Sequence, residues 1–224
     1  MRATWDALAA AETDVYVGDP ASAARELHDL FARLGADPHG GTCLEVGCGP
    51  GRMTGALAER FDRVIAVDVS PAMVERARGA VQRANVEFRV VSGDRLDGIE
   101  DESADAVVCY LVLQHLPSRD VVTSYLQEFA RVVKPAGEAF VQLPVLGAGA
   151  LPRAWRASRS VLVPALARLR KDPASAAAFR GFRLTRAELD RGLAAAGLGV
   201  VATDAGPDAP YRHATDLFLR LRRS

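Results

Sequence analysis

Short apolar runs alternate along this chain with longer segments whose apolar residues recur at helical spacing, a pattern that predicts helices packed on a parallel sheet. The predicted strands are Thr42–Gly47, Arg63–Asp68, Val86–Val91, Ala104–Tyr110 and Glu138–Leu143. Helices are expected from Gly51 to about Arg60, from Ser70-Pro71 onward, and from about Val121 to Val133. Ser70 offers a capping hydroxyl and Pro71 suits a first helical turn. Lys134-Pro135-Ala136-Gly137 reads as the turn that ends the third of these helices. The unbroken apolar run Ala106-Val107-Val108-Cys109 fits a central strand covered on both faces.

The end of the chain has a different pattern. Thr185 is placed to cap a helix running to about Ala196, Gly197 to stop it, and Leu198–Thr203 to form a sixth strand. After the turn-rich stretch Ala205–Pro210, Tyr211–Leu221 reads as a seventh. So short a loop has no room for a crossover helix, so the last two strands are expected to be antiparallel. Residues 1–40 are expected to form an N-terminal helical segment and 41–224 the main domain. Residues 145–182 exceed a simple connection and predict a helical insert after strand five, where a substrate cap would sit.

Composition narrows the function classes. Lysine plus arginine equals aspartate plus glutamate, 28 each in 224 residues. No overall field therefore favours nucleic acid or an anionic membrane as partner. Cys43, Cys48 and Cys109 form no C-x-x-C pair, which argues against a disulfide framework or a zinc site and predicts no bound metal. Acidic residues occupy the N-terminal stretch where a signal peptide keeps its apolar core. A soluble cytoplasmic protein, monomer or homodimer, is expected. Within the insert, Arg153, Arg156, Arg159, Arg168, Arg170 and Lys171 face a single acid, Asp172. They suit either a solvated helix face or recognition of an anionic small molecule.

The most specific stretch is Leu44-Glu45-Val46-Gly47-Cys48-Gly49-Pro50-Gly51-Arg52-Met53-Thr54. Its glycines permit positive φ and close approach of a ligand to the main chain. Asp68 closes the second strand, where a carboxylate can accept both hydroxyls of a ribose. A dinucleotide site is the competing reading. However, Arg52 stands where the third glycine of G-x-G-x-x-G would be, and Glu45 would repel a pyrophosphate and welcome an ammonium. Ser92-Gly93-Asp94 ends the third strand with an acid able to accept from an adenine amino group. Ligands of such sheets bind beyond the carboxyl ends of the strands, so Glu45, Asp68, Asp94 and Tyr110 are expected along one rim.

With these residues, and with VIAVDVSPAMVERAR at 64–78, DAVVCYLVLQHLP at 105–117 and RVVKPAGEAFVQLP at 131–144, the chain resembles the class I S-adenosylmethionine-dependent methyltransferases acting on small molecules. The resemblance implies a doubly wound, Rossmann-like α/β fold: a mostly parallel seven-stranded sheet in the order 3-2-1-4-5-7-6, strand seven antiparallel. It implies S-adenosyl-L-methionine as cofactor. Glu45 and the main chain of Gly47, Cys48 and Gly49 would hold the methionine moiety, and Tyr110 would border it. Asp68 would bind the ribose, Val69 and Met73 would pack near the adenine, and Asp94 would accept from its amino group with Arg95 on the rim. Tyr16 would belong to an N-terminal segment folded over the cofactor. Trp5 and Tyr16 suit either a sulfonium-facing role or core packing.

The implied reaction moves a methyl group to an oxygen or nitrogen of a small molecule by in-line displacement. His115, just beyond the fourth strand, is the first candidate general base, against a purely structural role. His213, at the start of the seventh strand, is the second. Two rival readings remain: a nicotinamide-dependent reductase on a similar sheet, and a non-catalytic protein that binds the same cofactor.

Overall fold

The computed structural model describes residues 2–10, 22–147, 154, 181–205 and 214–224. Helices α1 (Arg2–Ala10) and α2 (Ala23–Arg33) precede the sheet. Then follow β1 (Thr42–Val46), α3 (Thr54–Ala58), β2 (Arg63–Asp68), α4 (Pro71–Ala80), β3 (Val86–Val90) and β4 (Ala104–Cys109). The remainder comprises α5 (Arg119–Val132), β5 (Val133–Leu146), β6 (Leu184–Thr185), α6 (Arg186–Ala196), β7 (Leu198–Ala205) and β8 (Ala214–Arg223). The sheet order is β3-β2-β1-β4-β5-β8-β7, with the two-residue β6 added parallel to β5. Strands β1 to β5 pair in parallel, and β8 runs antiparallel to both β5 and β7. Setting β6 aside, this is the expected order with its antiparallel last strand.

Alternation along each strand sends side chains to two apolar layers. Leu44, Val46, Ile65, Val67, Val107 and Cys109 join one cluster, while Cys43, Val64, Ala66, Ala106 and Val108 join the other. β4 is therefore a central strand buried on both faces, as its unbroken apolar run requires. Local chemistry sets the helix ends. Ser70 Oγ accepts from Met73 N ahead of α4, Ser118 Oγ accepts from Val121 N ahead of α5, and Thr185 with Glu188 forms a capping box on α6. Gly197, at φ +69°, closes α6 in the left-handed conformation.

Two elements differ from expectation. The helix expected from Gly51 spans only Thr54–Ala58, because Gly51 has φ +91°, which no right-handed helix accommodates. The turn expected at Lys134–Gly137 lies inside β5. The register steps from Ala104↔Val133 to Ala106↔Glu138, so the turn residues bulge out of a strand that continues on either side. β5 also runs through Val145 and Leu146, the first two residues of the stretch 145–182 expected as a helical insert. Most of that insert, together with Tyr16 and His213, lies outside the described residues.

α1 docks over the carboxyl ends of β2 and β3. Leu8, Ala9 and Met73 form a small apolar cluster with Trp5, and Arg2 donates to the carbonyls of Val69 (2.9 Å) and Val91 (3.3 Å). Among the described residues no helix is long and apolar enough to cross a membrane, and no cluster of His, Cys, Asp and Glu could hold a metal ion.

Candidate active site

The site starts from the turn after β1. The N–H groups of Gly47 and Cys48 both donate to Val67 O, at 2.8 and 3.0 Å, pinning the turn to the end of β2. Gly47 has φ +75°, and a Cβ there would fall 2.3 Å from Val112 Cγ2. Gly49, at φ +53°, has open space where a Cβ would stand. Gly51 presses on α4, where a Cβ would lie 3.3 Å from the Ala77 backbone. The third glycine of this turn thus provides close helix packing one position before Arg52.

Two buried carboxyl groups flank the turn. Glu45, 5% exposed, accepts from Thr54 Oγ1 at 2.6 Å. Burial, opposed by that hydroxyl and by Arg52 but aided by the Asp68 charge, pushes its carboxyl up to about 7. Asp68, 9% exposed, accepts from Gly49 N and Ser70 N, both at 2.9 Å. Burial raises its carboxyl too, against the pull of these backbone donors. A carboxylate has about four lone-pair sites, so Asp68 retains acceptor capacity for a diol.

Between and beyond them lies a cavity of about 150 Å³. Glu45, Gly47, Cys48, Gly49, Asp68, Val69, Met73, Tyr110 and His115 all line it, as do Trp5, Arg52, Leu116 and Tyr125. At one end the buried Arg52 pairs with Glu26 Oε2 at 2.9 Å and lies 5.8 Å from the centre of the Tyr110 ring. Tyr110 in turn stacks on Phe218. At the other side Trp5 meets His115 edge to face, with ring centres 5.1 Å apart, and His115 Nε2 lies 3.1 Å from Gln114 Nε2. Leu111 holds φ +60°, unusual for a side chain of its size. Its N–H donates to Oε1 of the buried Gln142, whose Nε2 donates to Asp216 Oδ1 at 2.9 Å.

Not all of the expected rim converges. Asp94 and Arg95 are exposed beyond β3 and do not line the cavity; Asp94 Oδ1 accepts from its neighbour Ser92 at 2.8 Å. Several lining groups carried no signal in the sequence. Tyr125 is one of them, and Gln142, buried behind the lining residue Leu111, carried none either. The Arg52–Glu26 pair joins residues on separate elements that no local spacing connects.

A family described as a methyltransferase domain matches residues 44–141, from the middle of β1 into β5. A ubiquinone biosynthesis O-methyltransferase from Xanthomonas oryzae pv. oryzae is 35% identical over 114 residues, covering 50% of this chain and 46% of that protein. The chain thus spans about half the length of the curated relatives it matches. Among solved structures, a magnesium protoporphyrin IX methyltransferase from Synechocystis PCC 6803 with bound S-adenosylhomocysteine superposes with a TM-score of 0.60. Its identity is 20%, and the match covers 94% of this chain and 86% of that one. A SAM-dependent methyltransferase from Methanosarcina mazei gives a TM-score of 0.63 at 17% identity, covering 88% and 97%. The sheet order, the glycine turn between two buried carboxyls and these matches lead to one conclusion: residues 44–141 match a methyltransferase domain, set in a sheet with the fold of the solved methyltransferases.

Proposed function

We propose that this chain binds S-adenosyl-L-methionine in the cavity and transfers its methyl group to a small molecule, to an oxygen in preference to a nitrogen. The observation that carries the reading is the pair of buried carboxyls, Glu45 and Asp68, on either side of a turn with open space beside Gly49. Burying carboxyls without a cationic partner costs several kcal/mol, roughly, so a ligand bearing an ammonium and hydroxyls suits them, whereas a diphosphate does not. Glu45 would take the ammonium, Asp68 the ribose hydroxyls, and Val69 and Met73 the base. Asp94, exposed at the edge of β3, would swing to the adenine amino group, with Arg95 beside it. Tyr16 would close over the ligand from the N-terminal segment, which is read as residues 1–40.

When bound, the cofactor supplies an electrophilic methyl carbon on a sulfonium. The protein's task is then chiefly alignment, which accounts for ~7–11 kcal/mol of the barrier in favourable intramolecular cases. His115 lies on the cavity wall and would accept the proton of an acceptor hydroxyl; His213 is the alternative base. The preference for oxygen rests on the names of the curated relatives. The basic residues of the insert favour an anionic acceptor.

Isothermal titration of the whole chain with S-adenosylmethionine, S-adenosylhomocysteine and NADPH tests the reading. Binding of the first two and not the third is expected. NADPH binding without S-adenosylmethionine binding overturns the proposal in favour of a reductase. A screen of candidate metabolites for S-adenosylhomocysteine formation then identifies the acceptor.

A further inference from the structure

We propose that the Tyr125 hydroxyl is a ligand-binding group that donates a hydrogen bond to a ring nitrogen of the cofactor's adenine. The inference rests on the cofactor reading above and adds a residue that no motif assigns. Tyr125 lies on α5, is 3% exposed and packs its ring against Phe129, with centres 6.0 Å apart. A phenylalanine would do that packing equally well. Among the described residues nothing hydrogen-bonds the Tyr125 oxygen, yet it is not among the sealed buried atoms that lack a partner. The side chain lines the cavity, and we place the surface that its oxygen keeps there. A buried phenol normally finds a partner, and one that faces only a cavity is aimed at what fills it.

The surroundings specify the partner's chemistry. Val91, Leu116 and Met73 line the cavity with Tyr125, giving apolar walls suited to a flat base. Burial raises the Tyr125 phenol, and the charges of Cys109, Asp68, Asp94 and Asp97 raise it further. It keeps its proton and acts as a donor. Adenine offers ring nitrogens as acceptors and an amino group as donor, so a phenol donor on its edge complements an acid that takes the amino group.

The test uses the whole chain and Tyr125→Phe, titrated with S-adenosylhomocysteine and with its 1-deaza, 3-deaza and 7-deaza adenine forms. Y125F is expected to bind S-adenosylhomocysteine about three- to tenfold more weakly, the effect of one net neutral hydrogen bond. One deaza form should bind the wild type more weakly by a similar factor and be indifferent to the substitution. Equal affinity of the two proteins for S-adenosylhomocysteine overturns the proposal, as does a loss shared equally by every deaza form. If Y125F does not fold, the wild-type series decides, and undiminished binding of all three deaza forms rejects the hydrogen bond. A wild type that binds no S-adenosylhomocysteine overturns the cofactor reading itself.

Discussion

Gly47 sits directly under Val112: a Cβ added to the glycine would lie 2.3 Å from Val112 Cγ2. The contact ties the turn after β1 to the segment after β4, and so joins the two walls of the cavity. Gly47→Ala meets both this clash and a φ of +75°. The left-handed backbone alone costs about 1–3 kcal/mol. We expect a clear drop in the urea midpoint together with loss of cofactor binding.

Gly49→Ala should behave differently. Its φ is +53°, but no atom lies within 4 Å of the added carbon. Stability should fall by only about 1–2 kcal/mol, while S-adenosylhomocysteine affinity should fall far more, because the methyl would enter the space proposed for the ligand. Parallel unfolding and binding curves separate the two effects. Affinity that survives in a folded G49A protein would place the ligand elsewhere.

The Glu45 carboxyl predicts a pH dependence. Its value in the folded protein is about 7, above the 4.5 of an ordinary glutamate. Its contribution to stability is therefore fully present below about pH 4.5 and is lost as pH rises to about 7. The total is about 3 kcal/mol. An ammonium ligand favours the ionised form, so cofactor affinity should increase as pH rises through 7, with proton release on binding. Titrations in buffers of different ionisation enthalpy measure that release. Glu45→Gln should abolish it, and an unchanged proton count in the variant would assign the effect to Asp68 or another group.

Glu26 holds Arg52 at the cavity end. Burial alone would raise the Glu26 carboxyl, but the Ser22 hydroxyl and the Arg52 guanidinium hold it below its ordinary range. The Arg52 side chain is 6% exposed while that of Glu26 is 35% exposed, so solvent screens part of the pair. Glu26→Gln leaves a buried guanidinium short of its counter-charge, and a loss of about 1–2 kcal/mol is expected by chemical denaturation.

His115 provides the catalytic test. If it accepts the acceptor's proton, His115→Ala should lower kcat by a hundredfold or more, about the range of general base catalysis, with the dissociation constant for S-adenosylhomocysteine little changed. A fall of less than about tenfold would leave Trp5 packing as its role, given their edge-to-face contact.

The sequence by itself determined the strand-and-helix alternation, the caps at Ser70 and Thr185, the glycine turn and the positions of Glu45 and Asp68. These depend on side-chain period, turn chemistry and backbone freedom, all of which act within a few residues. Tertiary structure decided where local signals gave way to neighbours. The helix does not begin at Gly51 because that residue, against Ala77 of α4, holds φ +91°, and Lys134–Gly137 becomes a bulge because the residues on both sides of it pair with β4. Only the folded chain sets Trp5 on His115, Arg52 against Glu26, and Gln142 between Leu111 and Asp216. Each of these contacts joins residues on separate elements, and which side chains meet there follows from how those elements pack.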